Sequence, residues 1–183
     1  MRRTLVAMVQ DQPGVLNRIV SLFRRRNFNI ESLTVGHSEV PGVSRLTMVV
    51  EAENVPAEQF VDQLDRLVNI IDVTDLTDTN SVIRELALVK VKADSETRSE
   101  VMQLVEIFRA KIIDVGLRSL VIEASGPEDR VQSLISLLES FGILEIVRTG
   151  RVAMTRGAES SNHGQTGGGR VPGQPTLVES AVA

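Results

Sequence analysis

Leu5-Val6-Ala7-Met8-Val9, then Asp11-Gln12-Pro13-Gly14, then Val15, Leu16, Ile19, Val20, Leu22 and Phe23 at helical spacing: this opening decides the fold. An apolar strand ends in an acid, turns at Pro-Gly and opens a helix that runs to Arg26. The first N–H groups of such a helix have no partners within it and carry partial positive charge, so they suit a small anion. Gly14 has no side chain to block approach to them. Asp11 and Asn29 offer the opposite polarity, and a pocket with donors on one side and acceptors on the other suits a zwitterion, a free amino acid. The same residues also make a plain helix start. Asp is a common N-cap, Pro is common in the first turn, and Asn29 alone is a turn residue. The motif by itself does not choose between these.

Working outward, Phe28 to Val35 has a strand pattern, Gly36 to Gly42 a loop with its turn at Pro41-Gly42, and Arg45 to Ala52 a third strand. Pro56 opens a second helix with Phe60, Leu64, Leu67 and Val68 on one face, and Asn69 to Leu76 is a fourth strand. The order β-α-β-β-α-β is the ferredoxin-like arrangement. It then repeats: strand Arg84 to Ala93, helix Ser95 to Arg109, strands Lys111 to Val115 and Leu120 to Ala124, helix Pro127 to Phe141, and strand Ile143 to Met154. The expected class is α+β, two tandem ferredoxin-like domains over 1–78 and 79–156. Residues 157–183, rich in Gly, Ser and Gln with no apolar period, are expected to be a disordered tail.

The halves align at an offset of 85, setting Val20, Phe23, Arg24 and Asn29 against Val105, Phe108, Arg109 and Asp114. Met48 to Ala52 matches Leu120 to Ala124 at an offset of 72, which gives the first half a longer hairpin loop. At the offset of 85, Asp11 and Gly14 map to Glu96 and Ser99, with no Pro-Gly turn before the second helix. A turn needed only for folding is expected twice. It occurs once, which tilts the site toward a ligand and leaves the plain helix start open.

Composition narrows the function. A net charge of −4 gives no bulk attraction to nucleic acid or acidic membranes. With no cysteine, disulfides, thiolate metal sites and a Cys nucleophile are excluded. No apolar run reaches the roughly 20 residues of a membrane helix, and the N-terminus runs directly into a strand pattern instead of a signal peptide. The expected location is cytoplasmic. The alternative reading of β-α-β-β-α-β is an RRM-like nucleic-acid-binding module, which stacks bases on sheet aromatics. This chain has no Trp or Tyr, and Leu5 to Val9 and Met48 to Val50 carry no ring. Catalytic and metal-binding sets are absent from the sequence: His37 and His163 are isolated, and no phosphate loop, nucleophile elbow or dinucleotide fingerprint is present. Arg24-Arg25-Arg26 suits the negative end of its helix. Each half is small and its sheet has open edges, so homodimerisation is expected, with the helix-start site at the subunit interface.

Several stretches carry a family resemblance: Met1-Arg2-Arg3, Gly14 to Leu16, Leu22-Phe23, Asn27 to Val35, Ser44 to Thr47, Leu88 to Val91, Glu106 to Ala110 and Ile112 to Val115. The Arg26 to Leu33 stretch is the most specific, whereas the Asp-x-Pro-Gly turn is shared by amino-acid-binding ACT domains at large. Over about residues 1–156 the chain resembles the small, regulatory subunit of acetolactate synthase (acetohydroxyacid synthase). The resemblance implies an N-terminal ACT domain for effector binding and dimerisation, and a C-terminal ACT-like domain that contacts a catalytic large subunit. It implies no active site here. Thiamine diphosphate, Mg and FAD belong to the partner, which condenses two pyruvates, or pyruvate with 2-oxobutyrate, in branched-chain amino acid synthesis. The small subunit activates that enzyme and conveys feedback inhibition by L-valine bound between ACT domains. Residue by residue, Gly14 and the N–H groups of Val15 and Leu16 would hold the effector carboxylate. Asn29 would add hydrogen bonds, Asp11 would face the ammonium, and Ile30 and Val35 would meet the branched side chain. Some members have Asn at the position of Asp11. An ionised Asp pairs better with an ammonium and adds charge near the carboxylate.

Overall fold

The computed structural model describes residues 2–51 and 57–157. The opening strand β1 (Arg2–Gln10) lies inside a four-stranded antiparallel sheet, between β3 (Val43–Glu51) and β4 (Ile70–Asp75), with β2 (Asn29–His37) as the outer strand beside β3. Thr4, Leu5, Val6 and Ala7 are all buried, so β1 is covered on both faces and its apolar run is nearly continuous. Leu5, Ala7 and Val9 face the helices α1 (Val15–Arg25) and α2 (Ala57–Asp65). Helix α1 contributes Val15, Ile19 and Phe23, one residue per turn. Phe23, Phe28 and Phe60 form an aromatic cluster in this layer, with Phe28 and Phe60 centroids 4.4 Å apart.

The second unit repeats the arrangement with β5 (Ser81–Lys92), α3 (Arg98–Ile107), β6 (Lys111–Val115), β7 (Ser119–Gly126), α4 (Glu128–Leu138) and β8 (Ile143–Arg148). Its strand order β6-β7-β5-β8 is that of the first sheet, β2-β3-β1-β4. Two tandem ferredoxin-like units are therefore present. Packing aligns them at an offset of 82, not 85. Buried Ile19 and Phe23 correspond to buried Val101 and Val105, each 82 positions on, and the bulge at Glu31 of β2 corresponds to that at Ile113 of β6. The offset of 85 matches letters but sets exposed Val20 against buried Val105. In the third strands, Leu5 pairs Met48 and Ala87 pairs Ala124, which shifts the offset of 72 to 76. Asp11 and Gly14 thus correspond to Ala93 and Glu96, and the Pro-Gly turn remains unique to the first unit.

Other boundaries differ locally. Strand β2 continues past Val35 because Gly36 and His37 pair with Arg45 and Ser44. Helix α2 ends at Asp65, so Val68 is 89% exposed instead of sharing a face with Phe60. The expected strand Ile143 to Met154 is two strands, β8 and β9 (Val152–Thr155). Gly150, at φ +78°, turns the chain between them. Both halves pair along the same long partner: β8 with Ala87–Val91 and β9 with Ser81–Arg84. Expectations on Ala52, Pro56 and the tail from 158 onward lie outside the described residues.

Strand β9 joins the units. Ala153 packs with Val6, Leu76 and Ile83, on the face of the first sheet away from its helices. Arg45 donates to the Ala153 carbonyl at 2.8 Å, Arg151 to Thr4 Oγ1 at 3.0 Å, and Thr34 Oγ1 to the Thr149 carbonyl at 2.8 Å.

Candidate amino-acid site

The turn before α1 has a geometry only glycine adopts readily. Gly14 sits at φ +86°, and a Cβ there would meet nothing within 4 Å, so the position is open as well as left-handed. No side chain caps the helix, and the Val15 N–H reaches the Gln12 carbonyl only at 3.4 Å. The second unit treats the same end differently. Asp94 Oδ1 accepts from the N–H groups of Thr97 (2.9 Å) and Glu96 (3.1 Å) and from Thr97 Oγ1 (2.8 Å). These bonds, led by that from the Thr97 N–H, hold the Asp94 carboxyl below its usual range. Neither helix has a side-chain cap, but the turn before α3 is held by Asp94, whereas no side chain holds the N–H groups of the turn before α1 in this way.

Asp11, Val15, Leu16 and Val35 line a cavity of about 80 Å³, together with Ile19 and Leu46 beneath it. Leu16 and Val35 remain 43% and 46% exposed. Asp11 donates its N–H to the Gly42 carbonyl at 2.9 Å, which ties the turn to the β2–β3 hairpin. Its carboxylate stands 3.5 Å from His37 Nδ1, an ion pair when that imidazole is protonated. His37 is thus a neighbour that its position in the sequence did not reveal. Asn69 is another. It is buried, accepts from Arg18, donates to Gln10 Oε1 at 2.9 Å, and reaches Gln12 Oε1 at 3.4 Å. It holds the Asp11–Gly14 turn from beneath. The only sequence signal for it was a polar residue at the start of an apolar strand.

Asn29 and Ile30 lie elsewhere. Asn29 opens β2 and donates to Glu51 Oε2 at 2.8 Å, and Ile30 packs half-buried against the core. Strand β2 runs from Asn29 to His37, and at ~3.3 Å per residue its ends are about 26 Å apart. Within one chain, therefore, Asn29 does not stand beside Asp11. No group of three or more His, Asp or Glu side chains able to hold a metal ion is found among the described residues. No described helix is long and apolar enough to cross a membrane.

The open face an RRM-like module would need is occupied in part by β9, and the rings of Phe23, Phe28 and Phe60 lie on the helix side of the sheet. That reading is not favoured.

Comparison with known proteins points one way. Residues 5–72 match the AHAS small subunit-like ACT domain, and residues 84–157 match the family described as the small subunit of acetolactate synthase. The acetolactate synthase small subunit of Mycobacterium leprae is 50% identical over 154 residues, 84% of this chain and 91% of that one. The probable acetolactate synthase small subunit of Archaeoglobus fulgidus is 48% identical over 157 residues, 86% of this chain and 98% of that one. The crystal structure of the small subunit from Thermotoga maritima superposes with a TM-score of 0.79 at 44% identity, over 85% of this chain and 98% of that one.

Proposed function

This chain belongs to the acetolactate synthase small-subunit family, and on that premise we propose that it binds L-valine between two copies of its first unit and passes the occupancy to a separate catalytic subunit. The supporting observation is the uncapped turn at Gly14, beside a half-formed apolar cavity on an open strand edge. At about 80 Å³ the cavity is well short of the roughly 300 Å³ or more of enclosed ligand sites. A second copy completes it. Antiparallel pairing of two β2 edges centred near Leu33 sets Asn29 of one copy beside His37 and Asp11 of the other. The carboxylate then meets Gly14 and the N–H groups of Val15 and Leu16, the ammonium meets Asp11, and Asn29 closes the site from the opposite copy. Leu16 and Val35, with the Ile30 end of the second β2, form its apolar wall. Exposed Leu16 and Val20 on α1 extend the same surface.

In this reading residues 1–78 bind the effector and dimerise, and residues 79–156 contact the catalytic subunit. That subunit brings thiamine diphosphate, Mg and FAD, and the pair works in the cytosol on branched-chain amino acid synthesis. The test is titration calorimetry of the full chain with L-valine, using D-valine and L-lysine as controls, followed by the activation assay with a catalytic subunit. Saturable heat from L-valine alone, with valine-sensitive activation, is expected. Absence of heat both with and without the catalytic subunit would overturn the effector reading. The chain alone, given pyruvate, thiamine diphosphate and magnesium, is expected to show no turnover.

A further inference from the structure

Beside the contacts of β9, the turn between β8 and β9 presses on the edge strand of the first unit. Strand β2 carries its bulge at Glu31, between Ile30 and Ser32, where the ladder to β3 slips by a residue. A bulge on an edge strand is where such a strand is least restrained by its partner. Gly150, in the turn between β8 and β9, lies against this point. A Cβ on Gly150 would stand 2.6 Å from Ser32 Cβ and 3.0 Å from its Oγ, closer than packed atoms allow. Two residues further along β2, Thr34 Oγ1 donates to the Thr149 carbonyl at 2.8 Å. The bulge residue is held too: Arg2 pairs with Glu31 and, at 3.0 Å, with Glu128 at the start of α4. Arg151 Nε donates to Glu128 at 2.7 Å, and Arg148 pairs with buried Glu85. The space between these groups, about 400 Å³, is lined by as many arginines as glutamates and has no surplus charge for an ion. It is a seam between the units.

From this juxtaposition we propose that the second unit clamps the bulge of β2 and thereby positions Asn29 and Ile30, with Gly150 and Arg2 as positioning residues. The proposal rests on the reading of Asn29 and Ile30 as effector contacts. It deepens that reading by making valine affinity depend on a turn in the other unit that touches no effector.

The test uses the full chain and two readouts, hydrogen exchange of the 29–33 segment and the Kd for L-valine. Gly150→Ala is expected to raise exchange in that segment about tenfold and to weaken L-valine by a similar factor, while β1 and the core of the second unit exchange as before. Ser32→Gly removes the atoms that a new methyl would meet, so the double variant should recover the part of both losses that comes from the clash, while the left-handed strain at position 150 stays. Arg2→Gln adds no bulk and provides a second route should Gly150→Ala fold poorly, with a change of about threefold in the same direction. Exchange at 29–33 that is unchanged in both variants, or that rises equally throughout the chain, overturns the clamp. Failure of the effector reading looks different: the parent chain gives no valine heat, and the exchange data still decide the clamp.

Discussion

At the scale of single residues, the first helix start combines an open, left-handed glycine with the lack of a side-chain cap. Gly14 has φ +86° and no neighbour near its missing Cβ, so Gly14→Ala meets backbone strain and not a clash. A left-handed L-residue costs roughly 1–2 kcal/mol, and a fall of about 1 kcal/mol in urea-derived stability is expected. Valine affinity should fall further, by tenfold or so, because a methyl would project into the open space before the helix N–H groups. Asp11→Ala is expected to weaken L-valine by about tenfold or more, from the loss of a charge-assisted hydrogen bond worth roughly 1.5–3 kcal/mol. Activation of the catalytic subunit should persist in this variant. Parallel loss of activation and inhibition, measured in the same assay, would mean that Asp11 serves only the fold. Of this neighbourhood the sequence showed what is local, Asp11 through Leu16. His37, Asn69 and the distance to Asn29 depend on strand register and on a buried hydrogen bond, which adjacent letters do not encode.

At the scale of elements, the apolar periods predicted both ferredoxin-like units because each strand and helix turns its own apolar side to one core. Less legible was where a long apolar run divides. Ile143 to Met154 gives no sign that its two parts share one partner strand, and only Gly150 marks the break. Helix α3 starts at Arg98, later than the expected Ser95, because residues 95–97 form a turn with N–H groups that donate to Asp94. Replacing Asp94 by Ala should lower the unfolding midpoint of the second unit, and Asp94→Asn should retain most of it, since Asn ranks with Asp as a cap. Calorimetric scans of both variants decide this. Glu128 gives a pH signature to the seam. Its burial favours the neutral form, but hydrogen bonds from Arg151 and Arg2 and their charges outweigh this and hold the carboxyl below its usual range. A carboxyl lowered on folding contributes stability above the unfolded value of about 4.3, and that contribution is lost as pH falls through the folded value. Urea midpoints should therefore decline in acid below about pH 4.3, and less steeply in Glu128→Gln.

At the scale of the whole molecule, association and binding should fail together. Lysine on an edge strand opposes strand-to-strand pairing. Val35→Lys, at a position 46% exposed on β2 that also lines the cavity, should shift the chain to monomer in sedimentation experiments and lose valine binding on both counts. A monomer with undiminished valine affinity would place the site within one chain. The two units are not independent beads. The Arg151–Thr4 bond spans 147 positions, and the strand that covers the back of the first sheet is the last described element. During synthesis the first unit therefore leaves the ribosome before Ile83 and Ala153, which pack on Val6 and Leu76, and its cover is complete only when Ala153 follows. The chain has a vulnerable age, between the completion of its first sheet and the arrival of the strand that shelters it.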